Sequence, residues 1–179
     1  MEKTNKKNLK GFTLIEILIY VFILAIIVLA VSSFFVWAIR SSTKNRTMRE
    51  SLHNAERAMA IMTHEIKEAR SVYFPTSYFS ESPGQISLKT YKYSDGVQEY
   101  SYIDFYLCEN RLCFKKEGQD PFALTSESVE VSNLVFDWIA TNEASSVEIS
   151  IKVNYKDFQD RPEFLSSVEL QSTVSLRSY

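Results

Sequence analysis

Apolar and polar residues change pattern twice along this chain. From Phe12 to Ile39 there are 28 residues with a single charge, Glu16, so the run is long enough to cross a bilayer as one helix. From Arg40 the chain turns polar, with no Pro or Gly before Pro75. There Met48, Leu52, Ala55, Met59, Met62, Ile66 and Ala69 recur at alternating spacings of 4 and 3, which predicts a narrow apolar stripe on one helix face. The segment holds only about three heptads, so the stripe is expected to dock the helix on its own downstream sheet rather than form a coiled coil.

Beyond residue 70 the helical period disappears. Pro75 and a Ser-rich stretch through Ser82-Pro83-Gly84 predict an exposed loop. Strands are expected at Ile86–Tyr91, Gln98–Leu107, Val129–Ile139, Val147–Tyr155 and Val168–Leu176, with a turn at Ser94-Asp95-Gly96. Val147 to Val153 alternates cleanly, so one face should be buried and the other wet. A short hairpin is expected between Tyr102–Leu107 and Leu112–Lys116. One long helix followed by six or so strands gives an α+β fold.

Composition and charge sharpen this picture. The 179 residues hold 20 Lys+Arg and 22 Asp+Glu, which suits one modest domain. Beyond Arg40 the counts are 15 and 20, a formal charge of −5. That disfavours a nucleic-acid surface spread over the whole domain and leaves a local basic patch open. At the other end, Lys3, Lys6, Lys7 and Lys10 stand against only Glu2. Positive charge before an apolar span keeps that end cytoplasmic and sends the rest outward. The run is too long for a secretory signal and no A-x-A site interrupts it before Arg40. The physics predicts an N-in, C-out anchor. Glu16 is unusual in it, because an ionised carboxylate deep in lipid is costly. It either lies near enough to the surface to stay hydrated or is paired.

The string Lys10-Gly11-Phe12-Thr13-Leu14-Ile15-Glu16, behind a basic leader and ahead of an unbroken apolar helix, resembles the processing site of type IV pilins and type II secretion pseudopilins. The resemblance implies a pilin-like fold, with a long N-terminal helix packed on an antiparallel β-sheet domain. It implies cleavage by a prepilin peptidase after Gly11 and N-methylation of the new terminus at Phe12. It also implies that the Glu16 carboxylate pairs with a neighbour's Phe12 amine and sets assembly register. A paired charge is tolerable where a lone one is not, and Gly before the cut leaves the backbone unhindered.

The resemblance divides the chain into a leader over 1–11, a transmembrane assembly helix over 12–39, an amphipathic continuation over 40–70 and an extracytoplasmic β-rich domain over 71–179. Arg57-Ala58-Met59 with Glu65-Ile66, Leu134-Val135-Phe136 and Val174-Ser175-Leu176-Arg177 look similar to the J-type minor pseudopilins and related minor pilins. The implied partners are prepilin peptidase, other pilin subunits, an inner-membrane assembly platform and the cytoplasmic membrane, with DNA added in a competence system.

Candidate chemistry is sparse, and no enzyme is expected. His53 and His64 are the only histidines and read as solvent-facing. Four scattered glycines, at 11, 84, 96 and 118, form no phosphate loop. Asp157, Asp160 and Glu163 could hold Ca²⁺, but Lys156 and Arg161 sit among them, so a solvated turn is the better reading. No cofactor or metal is expected. Asn45-Arg46-Thr47 matches a glycosylation sequon that carries little weight in a prokaryote. Cys108 and Cys113 flank a hairpin tip as free thiols, a metal half-site or a disulfide; a domain outside the cytoplasm favours the disulfide. Tyr73, Tyr78, Tyr91, Tyr93, Tyr100, Tyr102 and Tyr106 read first as strand packing, and alternatively as a contact surface.

Overall fold

In a computed structural model, residues 13–94, 97–140, 145–156, 161–162 and 164–177 are described. The chain falls into two compact units, Met1–Ser42 and Thr43–Tyr179. Helix α1 runs over Leu14–Glu68, without a Pro or Gly to break it. Eight strands follow: β1 (Ser71–Val72), β2 (Ile86–Ser94), β3 (Val97–Cys108), β4 (Arg111–Lys116), β5 (Phe122–Ala123), β6 (Val129–Ala140), β7 (Ser145–Tyr155) and β8 (Ser167–Ser175). The α+β class expected from the pattern is the one observed. The two strands beyond the expected six, β1 and β5, are two residues long and too short to give any period.

The strands form two antiparallel sheets, one ordered β1-β2-β3-β4-β5 and the other β6-β7-β8. Strand β7 alternates as predicted, with Val147, Ile149, Ile151 and Val153 fully buried and the intervening residues half-buried. Inner-face residues of both sheets, among them Leu88, Phe105, Phe136 and Ile149, join Ala55, Ala58, Met62 and Ile66 of α1 in one hydrophobic cluster. This second unit therefore supplies its own core.

The apolar stripe of α1 is only partly the docking face. Met59, Met62, Ile66 and Ala69 are buried, but Met48 and Leu52 are 45% and 36% exposed. Their places are taken by Thr47, Ser51 and Asn54, which are buried. The reason is local: these two turns lie against polar loop positions rather than the sheets' apolar faces. Ser51 Oγ meets Ser166 Oγ at 3.1 Å, and Asn54 Oδ1 accepts the Ser126 amide at 2.9 Å. A buried amide must be hydrogen-bonded, so polarity outweighs apolar periodicity here.

The Ser-rich stretch after Pro75 is an exposed loop, as expected, and is tied to the sheet by its backbone. A 3₁₀ turn over Phe74–Thr76 leads into backbone bonds from Ser80 N to Phe136 O and from Gly84 N to Leu134 O, both 2.8 Å. These bonds cover the outer edge of β6, which would otherwise present unpaired backbone groups. A Cβ at Gly84 would stand 3.0 Å from Leu134 O and 3.2 Å from the Phe136 ring, so the close approach requires glycine.

Candidate functional site

The first half of α1 is the chemically unusual region. Twenty large apolar side chains from Leu14 to Ile39 are each at least 47% exposed. At about 1.5–3 kcal/mol for burying each one, an aqueous surface of this kind forgoes tens of kcal/mol. The segment is long and apolar enough to cross a membrane, and none of its most apolar window is buried within the chain. Such a surface is stable in a lipid or protein surrounding.

Glu16 occupies the first turn of this helix. Its amide donates to Thr13 O at 3.1 Å and to Thr13 Oγ1 at 3.3 Å, so Thr13 caps the helix N-terminus. Thr13-Leu14-Ile15-Glu16 is thus an S/T-x-x-E string, a helix-start signal that shares its residues with the processing motif. The carboxylate accepts the Tyr20 hydroxyl at 3.3 Å, one turn on, and is half-exposed. A negative charge at the first turn is favoured by the helix dipole. The local geometry holds the carboxylate at the start of the apolar span, where a partner cation can reach it. Gly11 and Phe12, the candidate cleavage and methylation positions, lie outside the described residues.

The second candidate feature is the β3–β4 hairpin. Its tip residues Glu109 and Asn110 both have positive φ, 49° and 61°, as a primed two-residue turn requires. Cys108 and Cys113 are joined across this hairpin with their Cα atoms 5.8 Å apart, within the span of a disulfide. Asn110 O accepts the Val131 amide at 2.7 Å, beside the bulge between Val131 and Asn133, so the tip links the two sheets. Arg111 is flanked by Glu109 at 3.7 Å and Glu127 at 3.6 Å.

The remaining candidates are dispersed. His53 and His64 are both exposed on α1. Among the described residues no three His, Cys, Asp or Glu side chains gather at metal-binding spacing. Asp157, Asp160 and Glu163 lie outside the described residues.

A helix of this length and exposure, with one carboxylate at its start and a β-rich unit after it, is consistent with a single membrane span. A family model described as the prokaryotic N-terminal methylation motif matches residues 6–32, and supports the type IV pilin and pseudopilin superfamily that the N-terminal string resembles. No curated protein and no solved structure matches the chain.

Proposed function

We propose that this chain is a minor prepilin-like subunit of a type IV pilus or type II secretion pseudopilus, cut after Gly11 and methylated on Phe12. It assembles through its N-terminal helix to initiate or cap a filament outside the cytoplasm. The observation that carries the reading is the coincidence, in one place, of the methylation motif over 6–32 and a helix whose apolar surface is uncovered from Leu14 to Ile39. In this account residues 1–11 are the leader, 12–39 the membrane and assembly helix, 40–70 its continuation and 71–179 the extracytoplasmic domain. Prepilin peptidase, neighbouring subunits, an inner-membrane assembly platform and the membrane are the partners. The role is structural, with no catalysis.

The mechanism follows from where charge and apolar surface lie. Before assembly, lipid covers the apolar helix and the N-terminal lysines hold that end in the cytoplasm. Cleavage removes those lysines and creates an amine at Phe12. In a filament that amine becomes the partner of Glu16 on an adjacent subunit, and helix–helix contact replaces lipid. Cys108 and Cys113 form their disulfide outside the cytoplasm. A competence pseudopilin shares all these features, and salt-sensitive DNA binding would single it out.

Capture of partner subunits from native membranes, with wild type and Glu16→Ala side by side, tests the reading. The expected result is loss of the captured subunits with the variant still processed and in the membrane. A single-pass binding protein of another kind would keep its leader and its partners unchanged, and that result would overturn the proposal.

A further inference from the structure

Positive charge gathers on α1 directly after the apolar run. Arg40, Lys44, Arg46 and Arg49 fall within ten residues of sequence, and no acid stands among them. From Glu50 to Tyr179 the chain holds 12 Lys+Arg against 20 Asp+Glu, a formal charge of −8. The four cations are thus segregated from an acidic remainder. All four are exposed, and among the described residues none of them is ion-paired. Glu50, the nearest acid, is already engaged: its Oε1 accepts Asn54 Nδ2 at 3.1 Å and Ser126 Oγ at 3.4 Å.

Direction and position identify the partner. Successive residues of an α-helix turn by about 100°, so Arg40 and Lys44 share one side of α1 while Arg46 and Arg49 face others. The charges form a band round the helix. One neighbouring protein surface would meet one side of such a band; lipid headgroups surround a spanning helix and meet every side. Trp37, three residues before Arg40, is 65% exposed at the end of the apolar run, where aromatic side chains mark the level of the headgroups. Lys and Arg just beyond that level rest their methylene stems on apolar surface and hold their charges among headgroup phosphates. In the N-in orientation proposed above, the block follows the span on the translocated side, where positive charge works against orientation. Its placement there calls for a ligand.

We infer that α1 over 40–49 binds anionic phospholipid, with headgroup phosphates of the adjoining leaflet on Arg40, Lys44, Arg46 and Arg49. Cations beside a membrane are attracted by a surface that is itself negative, and the attraction fades within a Debye length. The acidic remainder of the chain is repelled by the same surface, so the attraction is confined to this block. The inference rests on the membrane-span part of the reading above and is independent of cleavage and of entry into a filament.

Trp37 supplies the reporter. The full-length chain is reconstituted in phosphatidylcholine vesicles that carry either brominated phosphatidylglycerol or brominated phosphatidylcholine, and quenching of tryptophan fluorescence is compared. Trp138 lies in the β-rich unit, in edge contact with Phe74 at 5.2 Å, and adds the same background throughout. At low salt a preference of about five-fold or more for the anionic lipid is expected, the factor that a single cation supplies at a charged surface. Arg40→Gln/Lys44→Gln should lose most of that preference. Arg57→Gln/Lys67→Gln, the same charge change further along the helix, should keep it. In about 1 M salt, where the screening length is about 3 Å, the wild-type preference should largely vanish. Equal quenching by the two lipids, equal losses in both variants, or a preference indifferent to salt would overturn the inference. Release of the chain from the vesicles by alkaline carbonate would overturn the span itself, which separates failure of that reading from failure of the headgroup assignment.

Discussion

The two halves of α1 share one unbroken backbone but place their apolar side chains differently. Ala55, Ala58, Met59, Met62 and Ile66 point into a core that this chain builds for itself; between Leu14 and Ile39 the large apolar residues point outward all round. The distal half is an ordinary amphipathic helix, held by tertiary contact. The proximal half depends on lipid or on other helices, and its single carboxylate makes sense only if that environment supplies a partner charge or water. The contrast separates what this molecule does alone, which is fold a β-rich domain, from the assembly proposed for it.

That contrast can be tested by substitution, beginning where the core is densest. Phe136 is fully buried against the cluster, and Phe136→Ala should cost about 3–5 kcal/mol, read as a large drop in melting temperature of the β-rich unit. Membrane extraction behaviour should stay unchanged, since the anchor half contributes nothing to that core. Replacing Cys108 and Cys113 together by Ser opens a loop closed over a sequence separation of 5 and should cost about 2 kcal/mol, read by denaturant unfolding. A cost near zero would mean that the Asn110–Val131 bond and the tight turn hold the hairpin without the cross-link.

Smaller effects probe the polar turns between the halves. Asn54→Ala leaves the Ser126 amide without its acceptor and removes two bonds to Glu50, so about 1–3 kcal/mol should be lost. Met48→Ala, on the same helix but outward-facing, should change folding stability by about 0.5 kcal/mol or less. If Met48→Ala proves as costly as Asn54→Ala, the assignment of the buried face at these turns is wrong.

Much of this architecture was readable from residue order. The apolar run, the alternation of β7 and the helical stripe from Ala55 onward each express a single period, and each period survives into the fold. Legibility failed where tertiary contacts override local pattern. Met48 and Leu52 fit the stripe, yet Thr47 and Ser51 are buried because the opposing surface is polar, which no helical period encodes. The division of the strands into two sheets, and the docking of the Ser-rich stretch on β6, depend on long-range backbone bonds such as Ser80 to Phe136. The cap at Thr13 was legible as an S/T-x-x-E string, but it is overshadowed by the processing motif that shares its residues. The stacking of Tyr91 on Tyr100 was visible only as an excess of tyrosine, since it comes from the β2–β3 register.

Everything proposed for the proximal half rests on the chain entering the prepilin pathway. The intact mass of the protein taken from its native membranes, with N-terminal sequencing, tests that most directly. The account predicts a chain that begins at Phe12 and carries one methyl group on its terminal amine. A chain that retains Lys3 to Lys10 and Gly11, in cells with an active prepilin peptidase, would contradict it.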